Sequence, residues 1–256
     1  MGELIQFQHV SQFFAVRDST PTQALNEVSL DVRAGEFVCL IGPSGCGKTT
    51  LMHLLAGFVK PTAGAVRFRG EPVRGPGPER GVVFQEYALF PWMTASQNVE
   101  FGLRALKVDA GERKRRALQA LERVHLSHAA DRYPNELSGG MRQRIAVARS
   151  LVVEPQVLLM DEPFAAVDAM TRASLQNDLL RLWQEIGVSV LFVTHNIDEA
   201  IFLAQRVVVM AAHPGSVRAD IAIELPYPRQ RGSLEFAQHY AEIESALAEG
   251  YERRAG

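Results

Sequence analysis

Apolar and polar positions alternate over residues 4–10, where Ile5 and Phe7 are interleaved with Gln6 and Gln8, and over 27–32, where Val28, Leu30 and Val32 fall on one side. A period of two with one apolar face predicts half-buried antiparallel strands. Phe37-Val38-Cys39-Leu40-Ile41 does not alternate; it is a continuous apolar run that ends at Gly42. Such a run predicts a strand buried on both faces. Val157 to Met160 and Val188 to Val193 read the same way, and each is followed by polar residues. Helical stretches at about 48–57, 139–152, 170–186 and 197–204 lie between these runs. Alternating strands and helices predict a mostly parallel sheet with helices on its faces.

Between about 92 and 136 the buried strands stop, and the chain becomes helical and charged, with Gly111-Glu112-Arg113-Lys114-Arg115-Arg116 opening one helix. This stretch reads as a small helical subdomain inserted into the sheet domain. The basic run reads as a solvated helix face, because no aromatic residues are interleaved and Glu112 and Glu122 flank it. Pro72, Pro76 and Pro78 make 70–81 a turn-rich connection. After Leu225, Pro226 and Pro228 precede a helix from about Ser233 to Leu247, on which Leu234, Ala237, Tyr240, Ile243 and Leu247 recur at helical spacing.

Charge adds one exclusion. The 27 Lys and Arg against 29 Asp and Glu leave a net charge of -2, which argues against broad electrostatic binding to nucleic acid. No apolar run approaches the roughly 18 residues of a membrane span. Met1-Gly2-Glu3-Leu4-Ile5-Gln6 lacks the basic-then-apolar order of a secretory signal, and Gln6 stands where a myristoylation motif wants Ser or Thr. Cys39 and Cys46 form no disulfide framework and suit a reducing cytosol, with Cys39 reading as a core residue. His125 and His128 read as surface or helix-end residues.

Three segments carry chemistry. Gly42-Pro43-Ser44-Gly45-Cys46-Gly47-Lys48-Thr49, followed by Thr50, is a phosphate-binding loop placed between a buried strand and a helix. Its glycines let backbone N–H groups turn toward phosphates, and the helix N-terminus adds partial positive charge. Lys48 reaches the outer phosphates, and the Thr49 hydroxyl can ligate Mg²⁺. Cys46 lies inside this loop, and the helix N-terminus and Lys48 are expected to lower its pKa, so that alkylation blocks nucleotide binding and ATP protects. The second segment, Val157 to Glu162, ends a buried strand in two carboxylates; Asp161 suits the Mg²⁺ shell and Glu162 the polarisation of an attacking water. The third, Leu137-Ser138-Gly139-Gly140-Met141-Arg142-Gln143-Arg144, offers a hydroxyl and free N–H groups at a helix start, a second phosphate site. One chain does not need two such sites for one triphosphate; two chains placed head to tail do. Ser138 also suits a plain helix N-cap, and both roles can hold together.

In this order and spacing, these segments resemble the ATP-binding cassette of ABC transporters over roughly residues 4–212. The resemblance implies a phosphate-loop ATPase core with a mostly parallel sheet, an N-terminal antiparallel β-subdomain and an inserted α-helical subdomain. It implies one domain over 1–256, with about 92–155 as the helical subdomain that contains the signature and about 226–256 as a C-terminal helical tail. It also implies that Phe14, with Phe13 as the neighbouring alternative, stacks on adenine. Gln85 matches the loop glutamine that approaches Mg²⁺ and the attacking water and links the site to a membrane partner. His195 matches the switch histidine that contacts the γ-phosphate. ATP and Mg²⁺ are the implied cofactors, and a homodimer or paired cassette is the implied assembly. Met141 and Ala165-Ala166-Val167-Asp168 depart from the common glutamine and Ser-Ala-Leu-Asp.

The segments Glu71 to Gln85, Phe90-Pro91-Trp92, Ser-Gly-Gly-Met and Ala212-His213-Pro214-Gly215-Ser216 resemble the nitrate, sulfonate and taurine importer group. That likeness implies separate integral membrane permease subunits and a periplasmic or lipid-anchored solute-binding protein. The cassette is then expected at the cytoplasmic face of the bacterial inner membrane. Sulfonate or taurine is the first expectation for the solute, followed by nitrate and pyrimidine-like compounds. Tyr87, Leu89, Phe90 and Trp92 are the expected permease-facing surface.

Overall fold

The computed structural model describes residues 2–15 and 20–252, with side chains as far as residue 248. Met1, on which the N-terminal reading begins, and the last four residues of the expected tail lie outside them. In chain order the strands and helices are β1 Glu3–Phe14, β2 Thr22–Arg33, β3 Phe37–Ile41, α1 Lys48–Ala56, β4 Ala63–Phe68, β5 Glu71–Pro72, β6 Arg80–Val83, α2 Ala95–Ala105, α3 Ala110–Arg123, α4 Gly139–Leu151, β7 Val157–Asp161, α5 Ala169–Ile186, β8 Ser189–Thr194, α6 Ile197–Leu203, β9 Arg206–Ala211, β10 Ser216–Ala222 and α7 Leu234–Glu252. They form two compact units, Met1–Pro76 with Ser189–Gly256, and Gly77–Val188.

In the first unit β1 pairs antiparallel with β2 and β4, and β4 with β5. A second set of strands carries β3 between its parallel partners β8 and β9, with β10 antiparallel on β9. Every residue of β3 and of β8 is buried, as their continuous apolar runs require. Arg206 binds these layers together at one place: its guanidinium meets Glu36 Oε1 at 2.6 Å and Asp220 Oδ1 at 2.8 Å, and it also donates to the Asp31 carbonyl. Arg229, on the segment before α7, is buried and donates to the carbonyls of Ile201, Ala204, Ile223 and Leu225. It closes the C-terminal end of α6, whose last carbonyls have no partner within the helix.

In the second unit β6 and β7 are parallel neighbours, and the rest is helical. Thr94 and Gln97 form a reciprocal capping box that starts α2. The α3 arginines are engaged locally: Arg115 meets Glu112, Arg116 meets Glu154 and the Val152 carbonyl, and Arg113 donates to the Val108 carbonyl. Asn98 is fully buried and satisfies its amide on the loop before α2. It accepts from Phe90 N at 2.8 Å and donates to the carbonyls of Phe90, Met93 and Thr94 at 3.2, 3.0 and 3.0 Å.

Candidate functional site

The phosphate loop leaves the carboxyl end of β3 and closes on α1, with Gly47 as its N-cap at φ 90°. Only glycine adopts that φ without strain, and a Cβ at Gly47 would lie 2.4 Å from a Leu25 methyl. Thr49 is exposed at the first turn, Thr50 is half-buried, and Ser44 and Gly45 are exposed. Lys48 is 6% exposed and folds back over the loop, donating from Nζ to the carbonyls of Gly42 at 2.7 Å and Pro43 at 3.1 Å. The loop carbonyls thus compensate a buried ammonium that would otherwise be costly.

Cys46 departs from expectation. Its sulfur lies 3.6 Å from Lys48 Nζ, but the residue is fully buried, and burial pushes the thiol up by more than Lys48 draws it down. The thiolate is therefore disfavoured here, and ready alkylation is not expected.

Parallel register brings a second segment to this loop. Ile41 pairs with Thr194, so His195 leaves β8 beside the strand end from which Gly42 departs. His195 is exposed, and the residues on either side of it are fixed. Thr194 Oγ1 donates to the buried Glu199 and accepts from Asn196 N at 3.1 Å, and Asn196 caps α6. Phe13 and Phe14 are 42% and 41% exposed, so neither is a core aromatic. Gly42, Pro43, Ser44, Gly45, Cys46, Gly47, Lys48, Thr49, Thr50, Phe14 and His195 all belong to this first unit.

In the second unit the same rule operates. Val83 pairs with Met160, so Gln85 and the pair Asp161 and Glu162 emerge from adjacent parallel strand ends. Ligand sites in open α/β sheets lie at such carboxyl ends. Gln85 is exposed, and both carboxylates are half-buried. Glu162 turns the chain out of the strand at φ 41°, an uncommon conformation for a residue with a side chain. Ser138 caps α4 by accepting from Met141 N at 3.3 Å, which leaves its hydroxyl hydrogen free to serve as a donor. Gly140 is buried where a Cβ would lie 2.6 Å from the Thr171 methyl, so a side chain there would push α4 from α5. Asp168 caps α5 through Thr171 N at 3.0 Å, and that bonding to Thr171 holds its carboxyl below the usual range. Ala165 is exposed.

Sequence reasoning missed the supports of the phosphate loop. A Cβ at Gly215 would lie 2.3 Å from the Cys46 carbonyl, and a Cβ at Gly42 would lie 2.6 Å from the Met210 carbonyl. The β9–β10 turn therefore backs the loop at backbone contact. Its sequence signal was the glycine of His213-Pro214-Gly215, read only as a family resemblance.

Residues 25–165 match the description of the ABC transporter family. The chain belongs to this family. This ABC cassette is 48% identical over 225 residues to an uncharacterised ABC transporter ATP-binding protein of Methanocaldococcus jannaschii, covering 88% of this chain and 84% of that one. It is 48% identical to the nitrate import ATP-binding protein NrtD of Synechocystis sp., over 79% of this chain and 76% of the relative. It is 43% identical to NrtC of Synechococcus elongatus, over 96% of this chain but 38% of that longer protein. Among solved structures, a dimeric ATP-binding cassette in a post-hydrolysis state bound to ADP and Pi superposes with a TM-score of 0.76 at 31% identity, covering 87% of this chain and 100% of that one. A Clostridium perfringens cassette, part of the transporter complex cbiONQ, gives 0.78 at 26% identity over 98% and 99%. The ABC cassette fold is present, with its antiparallel β-subdomain and mostly parallel sheet. The chain is an ATPase that binds nucleotide. Among the described residues, no helix is long and apolar enough to cross a membrane.

Proposed function

We propose that this chain is the ATP-hydrolysing subunit of an ABC importer, acting as one half of a nucleotide-sandwich dimer. It is read as one cassette domain over 1–256, with a helical subdomain at about 92–155 and a helical tail at about 226–256. The observation that carries the reading is the phosphate loop, which leaves the wholly buried β3 with Lys48 held at its mouth, beside the end of the His195 strand. The loop N–H groups and α1 bind the phosphates, Lys48 exchanges loop carbonyls for phosphate oxygens, and Phe14 stacks on adenine. Ser138 donates its hydroxyl hydrogen to the ATP held by the partner cassette, and the N–H groups of Gly139 and Gly140 do the same.

Glu162 orients the attacking water and takes its proton, while His195 contacts the γ-phosphate. The Thr49 hydroxyl, the Asp161 carboxylate and the Gln85 amide oxygen are hard oxygen donors that fit Mg²⁺. That ion supplies neutralisation of phosphate charge when bound. The dimer drives integral membrane permease subunits at the cytoplasmic face of the bacterial inner membrane, fed by a periplasmic or lipid-anchored solute-binding protein. No nucleic acid takes part. The half-buried to exposed Tyr87, Leu89, Phe90 and Trp92 offer the permease an apolar surface, and Trp92 is 69% exposed.

The two nitrate import relatives favour a nitrate-like anion as the solute, with a sulfonate such as taurine as the competing substrate. Two experiments test this. Glu162→Gln is expected to keep nucleotide affinity, to run as a dimer in ATP by size exclusion, and to lose hydrolysis by about a hundredfold or more; wild-type turnover would remove Glu162 from the mechanism. Reconstituted with its permease and solute-binding protein, the complex is expected to be stimulated by nitrate. Stimulation by taurine alone would reassign the solute.

A further inference from the structure

The loop after β6 carries two consecutive residues with side chains in the left-handed region, Tyr87 at φ 58° and Ala88 at φ 47°. Each is unfavourable for an L-residue, so something must hold the pair. The holder is α4. Arg149 donates from Nη1 to the Ala88 carbonyl at 2.5 Å and from Nη2 to the Tyr87 carbonyl at 3.0 Å. Seven residues earlier on the same helix, the Arg142 guanidinium lies 5.5 Å from the Tyr87 ring centre. At the helix start, the Tyr87 hydroxyl lies 3.3 Å from where a Cβ on Gly139 would be. Ser150 fastens the helix to the strand before the loop, donating to the Val82 carbonyl at 2.8 Å. A planar guanidinium can span two carbonyls, whereas an ammonium presents a single point of contact.

We propose that Arg149 is a positioning residue for ATP hydrolysis: by clamping the carbonyls of Tyr87 and Ala88, it locks a strained turn beside Gln85 onto the helix that begins at Ser138-Gly139-Gly140. The inference rests on the reading of Gln85 and Ser138–Gly140 as nucleotide-contacting residues. With the clamp in place, a displacement of the turn carries α4 with it, and the two motifs move as one. Without it, the turn relaxes out of the left-handed region, and the Gln85 amide loses its place. The phosphate loop and Lys48, which supply most of the phosphate contacts, belong to the other unit and make no part of the clamp, so ground-state nucleotide affinity is expected to change little.

The test uses the full chain, with mant-ATP fluorescence for affinity and steady-state hydrolysis for kcat and KM. Arg149→Met is expected to lower kcat about tenfold and to leave the mant-ATP Kd within about twofold of wild type. Adding Ala88→Gly is expected to restore most of that loss, because glycine holds positive φ without a clamp. Arg149→Lys keeps the charge with a single donor point and is expected to fall in between; should Arg149→Met not fold, this variant decides. Failure of Ala88→Gly to rescue overturns the proposal, as does a loss of Kd in step with kcat, or full turnover in Arg149→Lys. Ser138→Ala is run alongside. Its full turnover would count against the reading of Ser138, whereas the Arg149 loss with its glycine rescue supports the clamp in either case.

Discussion

At the scale of single residues, burial outweighs local charge in the phosphate loop. Cys46 has a lysine and a helix start beside it, both of which favour a thiolate, but removal from water raises the thiol all the same. Cys39, wholly buried near Glu199, is raised further by burial first and by that carboxylate second. The sign of the linkage follows. Both folded thiols hold their proton at a pH where unfolded thiols lose it, so their contribution to stability is intact below the ordinary value of about 9 and declines as pH rises above it. Urea midpoints are therefore expected to fall between pH 8.5 and 10, and a Cys39→Ala, Cys46→Ala chain should lose less over that range. Reaction of the native chain with iodoacetamide at pH 8 is expected to be at least tenfold slower than that of the urea-unfolded chain. Equal rates would mean that the Cys46 thiol is open to solvent.

Among the elements, Asn98 shows how a polar side chain shapes a loop from inside. Its amide makes four bonds to backbone groups between Phe90 and Thr94 and so fixes the turn that presents Trp92. Asn98→Ala is expected to cost about 2–3 kcal/mol in urea unfolding, because buried backbone groups are left unpaired. Trp92 emission should shift with it, a change that simple destabilisation away from the loop would not produce. The strands were legible wherever burial follows a strict period. Residues 4–10 and 27–32 alternate, whereas β1 runs on to Phe14 and β2 begins at Thr22. His9 at φ 47° and Glu27 at φ 46° sit at register shifts of this pair, and each bulge reverses the inside and outside positions beyond it. A pattern search stops at such a point. β10 has mixed burial and left no pattern to find. The motif residues were legible because their chemistry is local in sequence. Arg149 and Gly215 were not, since each acts on a segment more than sixty residues away.

For the molecule as a whole, a few long side chains join layers that the ladders leave separate. Arg206 on β9 reaches Glu36 before β3, Asp220 on β10 and the Asp31 carbonyl on β2. Arg206→Met keeps the length of the side chain and strands the carboxylates. It is expected to cost about 3 kcal/mol, read as a drop in the urea midpoint of the full chain; an unchanged midpoint would reduce this contact to surface decoration. The order of strands has a consequence for synthesis as well. β3, which feeds the phosphate loop, has both of its ladder partners, β8 and β9, later in the sequence, after all of residues 77–188. On a ribosome adding about 5–20 residues per second, Thr194 follows Ile41 by roughly 8–30 s. Five apolar residues therefore leave the exit tunnel with no strand to join, and the ATP-binding strand is the one that must be kept from strangers the longest.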